Sequence, residues 1–396
     1  MVENVYIVAA KRTPVCKALK GHFRSVRPDD MLAFTIKKTL SSISAINTNL
    51  IEDAIFGCAM PEGAQGMNIG RISTLLSGLP DSIPAMTINR LCCSGLESVA
   101  LVANRISTGN IHCALAGGVE SMSMIPMGGH NLSGNPNFFT NDSNISIAYG
   151  MGVTAEVVAK KYNISREEQD HFALNSHKKA NYAIEKKLFK NEIIPYKVQL
   201  SKADEKNNRI NEHFINVEID EGPRLDTNID KLLKLKPAFS ENGTVTAGNS
   251  SQVSDGAACC LLVSETFLRE NKLDPLARFV GYQVAGVPPE IMGIGPVKAI
   301  PKVLNHTGLK LDDIGWIELN EAFAAQSIAV INELGLNPDN VNPYGGAIAL
   351  GHPLGATGTI RLATAINGAK IRHCKYAMVT MCVGTGMGAA GIIEVY

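Results

Sequence analysis

The chain carries no net charge: 37 lysines and arginines are matched by 37 aspartates and glutamates. Without a basic or acidic excess, nucleic acid and anionic membrane are poor candidates for the main partner. No apolar run is long enough to span a bilayer. No charged-then-apolar leader precedes Val5, and the final Glu394-Val-Tyr396 is neither a peroxisomal nor a retention address. The nine cysteines (16, 58, 92, 93, 113, 259, 260, 374 and 382) include no Cys-x-x-Cys and no regular His/Cys ligand spacing, which argues against structural zinc. Their odd count and irregular spacing fit a reducing compartment, so a cytoplasmic protein is expected.

What is present is glycine, 36 residues of it, in a chain that is 45% hydrophobic. That composition suits a compact α/β protein with many tight turns. At 396 residues the chain exceeds one ordinary core, so two or more packed units are expected. Two stretches read as copies. Val5–Ala10 matches Ala277–Gly286 as a strand, and Ile51–Gly57 matches Leu311–Asn320 as an acidic cap followed by a strand. Next comes a small-residue turn with a helix and another strand: Leu91–Gly95, a helix to about Thr108, then Cys113–Gly118. Its counterpart is Leu350–Gly355, a helix to about Asn367, then Tyr376–Cys382. Such alternation predicts a largely parallel sheet with helices on its faces. In the first of these helices Leu96, Val99, Ala100, Ala103 and Ile106 form a core-facing stripe, which is packing.

Between the copies, residues 123–248 differ in character. Pro126–Asn144 is rich in Gly, Asn, Ser and Pro and reads as loop. A helix is expected from Thr154, and Ser165-Arg-Glu-Glu168 is a capping box that opens another. Residues 201–221 are polar and read as irregular. The insert is expected to cover a site instead of building the sheet.

Four residues fall at strand ends or strand-to-helix turns. Cys92 precedes a helix N-terminus, whose free N–H groups favour a thiolate; the structural alternative is a buried core thiol. His352 sits on the matching turn of the second copy, packed between glycines. Cys382 ends a strand before Gly384-Thr-Gly-Met-Gly388. Asn320 also ends a strand, where α/β sheets collect ligands; its structural alternative is a helix N-cap.

Taken together, these runs resemble the thiolase family. The signatures are Asn89-Arg-Leu-Cys92-Cys-Ser-Gly-Leu96, Gly345-Gly-Ala-Ile-Ala-Leu-Gly-His352-Pro-Leu-Gly355 and Cys382-Val-Gly-Thr-Gly-Met-Gly388. Supporting runs are Asn320–Ala325, Val245–Ser251 and Lys234–Phe239, and the resemblance covers essentially the whole chain. It implies a duplicated fold of two βαβαβαββ halves with mixed, mostly parallel sheets and an inserted loop subdomain. Residues 1–122, completed by about 249–270, would form the first half, 123–248 the CoA-covering insert and 271–396 the second half.

The implied activity is that of a degradative 3-ketoacyl-CoA thiolase. No permanent cofactor is expected, and coenzyme A is the co-substrate. Cys92 would be the nucleophile, activated by His352, and Cys382 the acid and then base. Asn320 would hold a water near the enolate oxygen, and the N–H groups of Cys92 and Gly384 would shelter the acyl-enzyme oxygen. By family position Arg224 would lie along the adenine and phosphates and Ser251 on the pantetheine amide. Met151, Met292 and Phe239 would line the slot, with Phe323 nearer the thioester. A homodimer or homotetramer is implied, as is possible docking on a hydratase-dehydrogenase partner. Thr385 stands where the commonest form has glycine, and Gly150 where many short-chain biosynthetic members have histidine. With Arg27-Pro-Asp-Asp30 these features lean to fatty-acid breakdown. The alternatives are an acetyl-CoA C-acetyltransferase and an inactive thiolase-fold acyl-CoA binder or partner subunit.

Overall fold

The computed structural model describes residues 3–44, 46–140, 144–204 and 209–396. The chain opens with strands β1 (Val5–Arg12), β2 (Cys16–Lys17), β3 (Asp53–Gly57), β4 (Ala85–Ile88) and β5 (Cys113–Ser121), interleaved with helices α1 (Pro28–Ser41), α2 (Ile69–Leu76) and α3 (Ser94–Ser107). A middle stretch carries α4 (Met151–Lys161), α5 (Arg166–Glu185), the hairpin β6 (Tyr196–Asp204) and β7 (Arg209–Val217), and α6 (Ile229–Leu233). Then follow β8 (Ser254–Ser264), α7 (Glu265–Glu270), β9 (Ala277–Gly286), α8 (Gly295–Thr307), β10 (Ile314–Leu319), α9 (Ala324–Leu334), α10 (Ala347–Leu350), α11 (Leu354–Ile371), β11 (Tyr376–Val383) and β12 (Met387–Val395).

The main sheet runs β10-β11-β12-β9-β1-β8-β5-β3-β4, with β2 added to β8. Outward from the β1–β9 junction the order is β8, β5, β3 on one side and β12, β11, β10 on the other. The repeat read in the sequence is therefore a mirrored strand order. The expectation of mostly parallel pairing is corrected. Only β3–β4, β3–β5 and β10–β11 are parallel, and the other pairs of this sheet are antiparallel. Parallel pairs occur where a helix carries the chain back across the sheet. A direct return such as the turn from β11 to β12 reverses direction.

Helices α3 and α11 share one core with strand residues Ala114, Cys260, Val379 and Ile393. The predicted stripe of α3 is buried here, at Leu96, Val99, Ala100, Ala103 and Ile106. Each large member, Leu96 or Val99, contributes about 2 kcal/mol by leaving water. The two helices meet closely because their first turns carry glycine. A Cβ on Gly358 would overlap the backbone nitrogen of Leu96, and one on Gly118 of β5 would overlap the carbonyl of Gly355. Thr359 Oγ1 donates to the Gly95 carbonyl across this contact, at 2.8 Å. On the other sheet face, α1 packs through Met31, Leu32 and Ile36, and α8 through Ala299, Ile300 and Val303.

The middle stretch departs from expectation in one place. Residues 201–221 were expected to be irregular, but β6 and β7 form an antiparallel hairpin, with Val198 opposite Ile215. Residues 205–208 of that stretch lie outside the described residues. The hairpin forms because Val198 and Val217 reach the α1 core, burial that a polar-looking sequence hides. Helix α5 opens as predicted: Ser165 Oγ accepts from Glu168 N at 3.2 Å, and Glu168 Oε2 accepts from Ser165 N at 2.7 Å.

Candidate active site

Strand β4 leads into the turn that carries Cys92. Asn89 Oδ1 accepts from Leu91 N at 2.7 Å, and Ser94 Oγ accepts from Arg90 N at 2.9 Å while donating to the Leu91 carbonyl. These bonds hold Leu91 at φ +46°, a left-handed conformation that a leucine adopts only under constraint. The strained turn leaves Cys92 partly exposed beside α3. The expectation that the helix end would lower its basicity is corrected: burial pushes the Cys92 thiol up to about 11, although the N–H groups of Gly384 and of Cys92 itself pull the other way. At rest Cys92 is a thiol, so an attack by its sulfur would need a base to take the proton.

Strands β10 and β11 run parallel, so Asn320 and Cys382 emerge at neighbouring carboxyl ends; Asn320 N donates to the Thr380 carbonyl at 2.9 Å. The cap of α9 is Phe323, so Asn320 is not a helix N-cap. Its Nδ2 lies 3.3 Å from His352 Nε2, and its buried Oδ1 has no partner. The other imidazole nitrogen, Nδ1, lies 2.6 Å from Thr357 Oγ1. The His352 backbone is held by Ser254 Oγ, at 3.1 Å. Burial, aided by the Arg361 cation, lowers His352 to about 3, so the ring is neutral at physiological pH. Cys382 is buried, and burial with the neighbouring Cys92 raises its thiol well above the ordinary range.

Two buried carboxylates brace the histidine loop. Glu120 of β5 accepts from Ala59 N at 2.7 Å, Gln65 Nε2 at 2.7 Å and Gly355 N at 2.9 Å, which ties the start of α11 to the first copy. Glu321 accepts from Ser176 Oγ, Asn342 Nδ2 and Ile348 N, which fixes the turn before His352.

Cys92, His352 and Cys382 line one cleft of about 290 Å³, together with Met151, Phe239, Ser251, Met292 and Phe323. Phe239 and Phe323 meet edge to face, with centroids 6.1 Å apart. Ser251 N donates to the Ala322 carbonyl at 2.9 Å, which seats it at the cleft wall. Gly384 stands behind Cys92, next to Leu91 and Met151. Arg224 lies apart, in an adjoining pocket of about 170 Å³ with His177 and Lys231; Gln252 lines both spaces. Sequence reasoning missed Thr357, Gln252, Met122 and Leu354. Thr357 left a signal, a hydroxyl five residues past His352 just beyond the quoted Gly345–Gly355 run, and Leu354 lies inside that run, whereas Gln252 and Met122 reach the cleft only through tertiary packing. Among the described residues no cluster of three or more His, Cys, Asp or Glu side chains is arranged to hold a metal. No described helix is long and apolar enough to cross a membrane.

A thiol, an imidazole and a second thiol line one apolar cleft on a mirrored α/β sheet, a set whose chemistry suits nucleophilic acyl transfer. The chain matches the thiolase N-terminal domain over residues 5–266 and the thiolase C-terminal domain over residues 273–395. It is 49% identical over 393 residues to a 3-ketoacyl-CoA thiolase of Bacillus subtilis, a match covering 99% of this chain and 100% of that one. The dimeric peroxisomal thiolase of Saccharomyces cerevisiae superimposes with a TM-score of 0.89 at 41% identity, covering 100% of this chain and 98% of the other. An acetyl-CoA acetyltransferase of Bacillus anthracis superimposes with a TM-score of 0.88 at 36% identity, covering 100% and 99%. The chain belongs to the thiolase family, whose members are acyltransferases.

Proposed function

We propose that the protein is a 3-ketoacyl-CoA thiolase, cleaving its substrate with coenzyme A into acetyl-CoA and a shortened acyl-CoA. The observation that carries this reading is the single cleft onto which Cys92, His352 and Cys382 open, with Asn320 on the imidazole. His352 Nε2 takes the Cys92 proton as Sγ attacks the C3 ketone. The C2–C3 bond breaks, its electron pair leaves as the acetyl-CoA enolate, and Cys382 protonates that carbon. The Cys382 thiolate then deprotonates an incoming CoA thiol, whose sulfur attacks the acyl-Cys92 thioester. Cys92 leaves as a thiol, with its proton returned from His352. The Gly384 N–H that faces Cys92 suits the acyl-enzyme oxygen, and the unpaired Asn320 Oδ1 suits a water bound to the enolate oxygen.

The coenzyme runs from the cleft past Ser251 and Gln252 toward Arg224 and Lys231, where its phosphates find cations. Residues 123–248 act as the covering unit between residues 1–122, completed by about 249–270, and residues 271–396. Gly150 supports the degradative reading. It lines the cleft, and a Cβ there would meet nothing within 4 Å, so space for an acyl chain is open where a larger side chain would fill it. We further propose a homodimer through β4. This edge strand presents exposed Met86 beside Leu75 and Leu76 of α2. The deciding experiment is a thiolysis profile across C4 to C16 3-ketoacyl-CoAs. Activity extending to C8–C16 supports the proposal; activity confined to C4 gives the acetyltransferase, and CoA binding without cleavage gives an inactive binder.

A further inference from the structure

Both nitrogens of the buried His352 ring have a partner, and neither partner is solvent. Asn320 places its side-chain amide 3.3 Å from Nε2, where the roles of donor and acceptor follow from the tautomer of the ring. With Nε2 as the acceptor of the Asn320 amide, the ring proton of a neutral histidine sits on Nδ1. The atom waiting there is Thr357 Oγ1, at 2.6 Å. Thr357 stands in the first turn of α11 and is fully buried, so no water can take its place. Its own turn is fixed independently, because Thr357 N donates to the Pro353 carbonyl at 3.1 Å and Gly355 is clamped by Glu120.

We propose that Thr357 is a positioning residue for His352: its hydroxyl accepts the Nδ1–H and so leaves Nε2 bare to take the proton of Cys92. Resting on the acyl-transfer reading above, this adds the element that makes one particular nitrogen the base. When the proton moves from Sγ to Nε2, the ring becomes an imidazolium with Nδ1–H still bound to Thr357. The cation is formed in a buried site, near the buried Arg361 cation that disfavours it. An acceptor on Nδ1 is therefore worth more here than at a surface, where water would serve. The same hydroxyl limits ring rotation, since turning the imidazole would break the 2.6 Å contact.

The test uses the full-length protein with Thr357→Val, which keeps the shape and removes the hydroxyl, and Thr357→Ser, which restores it. Orienting partners of this kind are worth about 10- to 100-fold in activity. Thr357→Val should lower kcat by that factor with KM for CoA unchanged, and Thr357→Ser should stay within about threefold of wild type. Alkylation of Cys92 by iodoacetamide, followed at the residue by mass spectrometry, should slow by a similar factor at pH 7 in Thr357→Val. The gap should close above about pH 11, where the thiolate forms without a base. Selective ¹⁵N-histidine labelling of the wild type reads the tautomer directly and needs no variant. A protonated Nδ1 with a bare Nε2 agrees with the proposal, whereas a protonated Nε2 in the resting enzyme overturns it. So does a folded Thr357→Val protein with wild-type kcat and alkylation rate. Absence of thiolysis by the wild type would defeat the proposed function instead, since alkylation and tautomer are read without that substrate.

Discussion

Cys92 and Cys382 are both thiols raised by burial, yet their surroundings differ. Cys92 is partly exposed on a strained turn and faces the Gly384 N–H, whereas Cys382 is sealed against Met292, Ala322 and Phe323. Cys92→Ser should abolish turnover and acyl-enzyme, and Cys382→Ser should retain some acyl-enzyme on incubation with acyl-CoA, read by intact mass. Equal acyl labelling of wild type and Cys92→Ser would sink the nucleophile assignment. Gly150→His should cut C8–C16 thiolysis by more than about tenfold while sparing C4, because the ring fills the open end of the cleft. An unchanged chain-length profile would show that the acyl chain lies elsewhere. The residues that meet at the cleft, Cys92, His352 and Cys382, were legible as a set because glycine turns and strand ends cluster around them in the sequence. Their basicities were not. The lowered thiol expected of Cys92 failed because desolvation, a property of the folded surroundings, outweighs two N–H groups.

At the scale of elements, α3 and α11 carry Cys92 and His352 at their starts, and the spacing of the two helices sets the spacing of the pair. Gly358→Ala would drive a methyl into the Leu96 backbone, which cannot yield as a flexible side chain can. We expect a loss of about 1–3 kcal/mol in urea denaturation and a larger proportional loss of thiolysis, since the helices must part. Retention of both would mean that the contact is slack. Helices were the most legible elements: the stripe of α3 and the capping box of α5 are local patterns. The β6–β7 hairpin was not, because its core contacts, Val198 and Val217 with Tyr196, Leu200 and Ile215 at the margin, are spaced among polar residues that read as loop. Arg224 likewise sat in a basic run whose placement, one pocket away from the thiols, depends on how the insert folds over the sheet.

For the whole molecule, the mirrored sheet leaves β4 as a free edge, and Met86→Lys should shift the assembly toward the 42.3 kDa monomer in light scattering. A dimer that survives this change would place the interface elsewhere. Acid behaviour is also global. Burial first, then Arg224 and Lys17, lower His177 to about 4, below the value of about 6.5 in an unfolded chain. Between those values the unfolded state binds the extra proton, so this contribution to stability is present above pH 6.5 and is lost as pH falls toward 4. Glu318, raised to about 7 mainly by burial, acts in the opposite sense, so the comparison must be differential. Relative to wild type, His177→Asn should gain about 1.4 kcal/mol per pH unit below 6.5 in urea denaturation. A constant difference from pH 7.5 to 4.5 would refute that.

The sequence by itself singled out Cys92, His352, Cys382 and Asn320, showed where the helices lie and showed that the chain repeats its own order of elements. These are local matters of residue type, spacing and turn chemistry. The tertiary structure alone decided the antiparallel seams of the sheet, the meeting of Thr357 with His352, and the burial that keeps both cysteines protonated. Each of these depends on contacts between segments far apart in the chain, and on water excluded by all of them together.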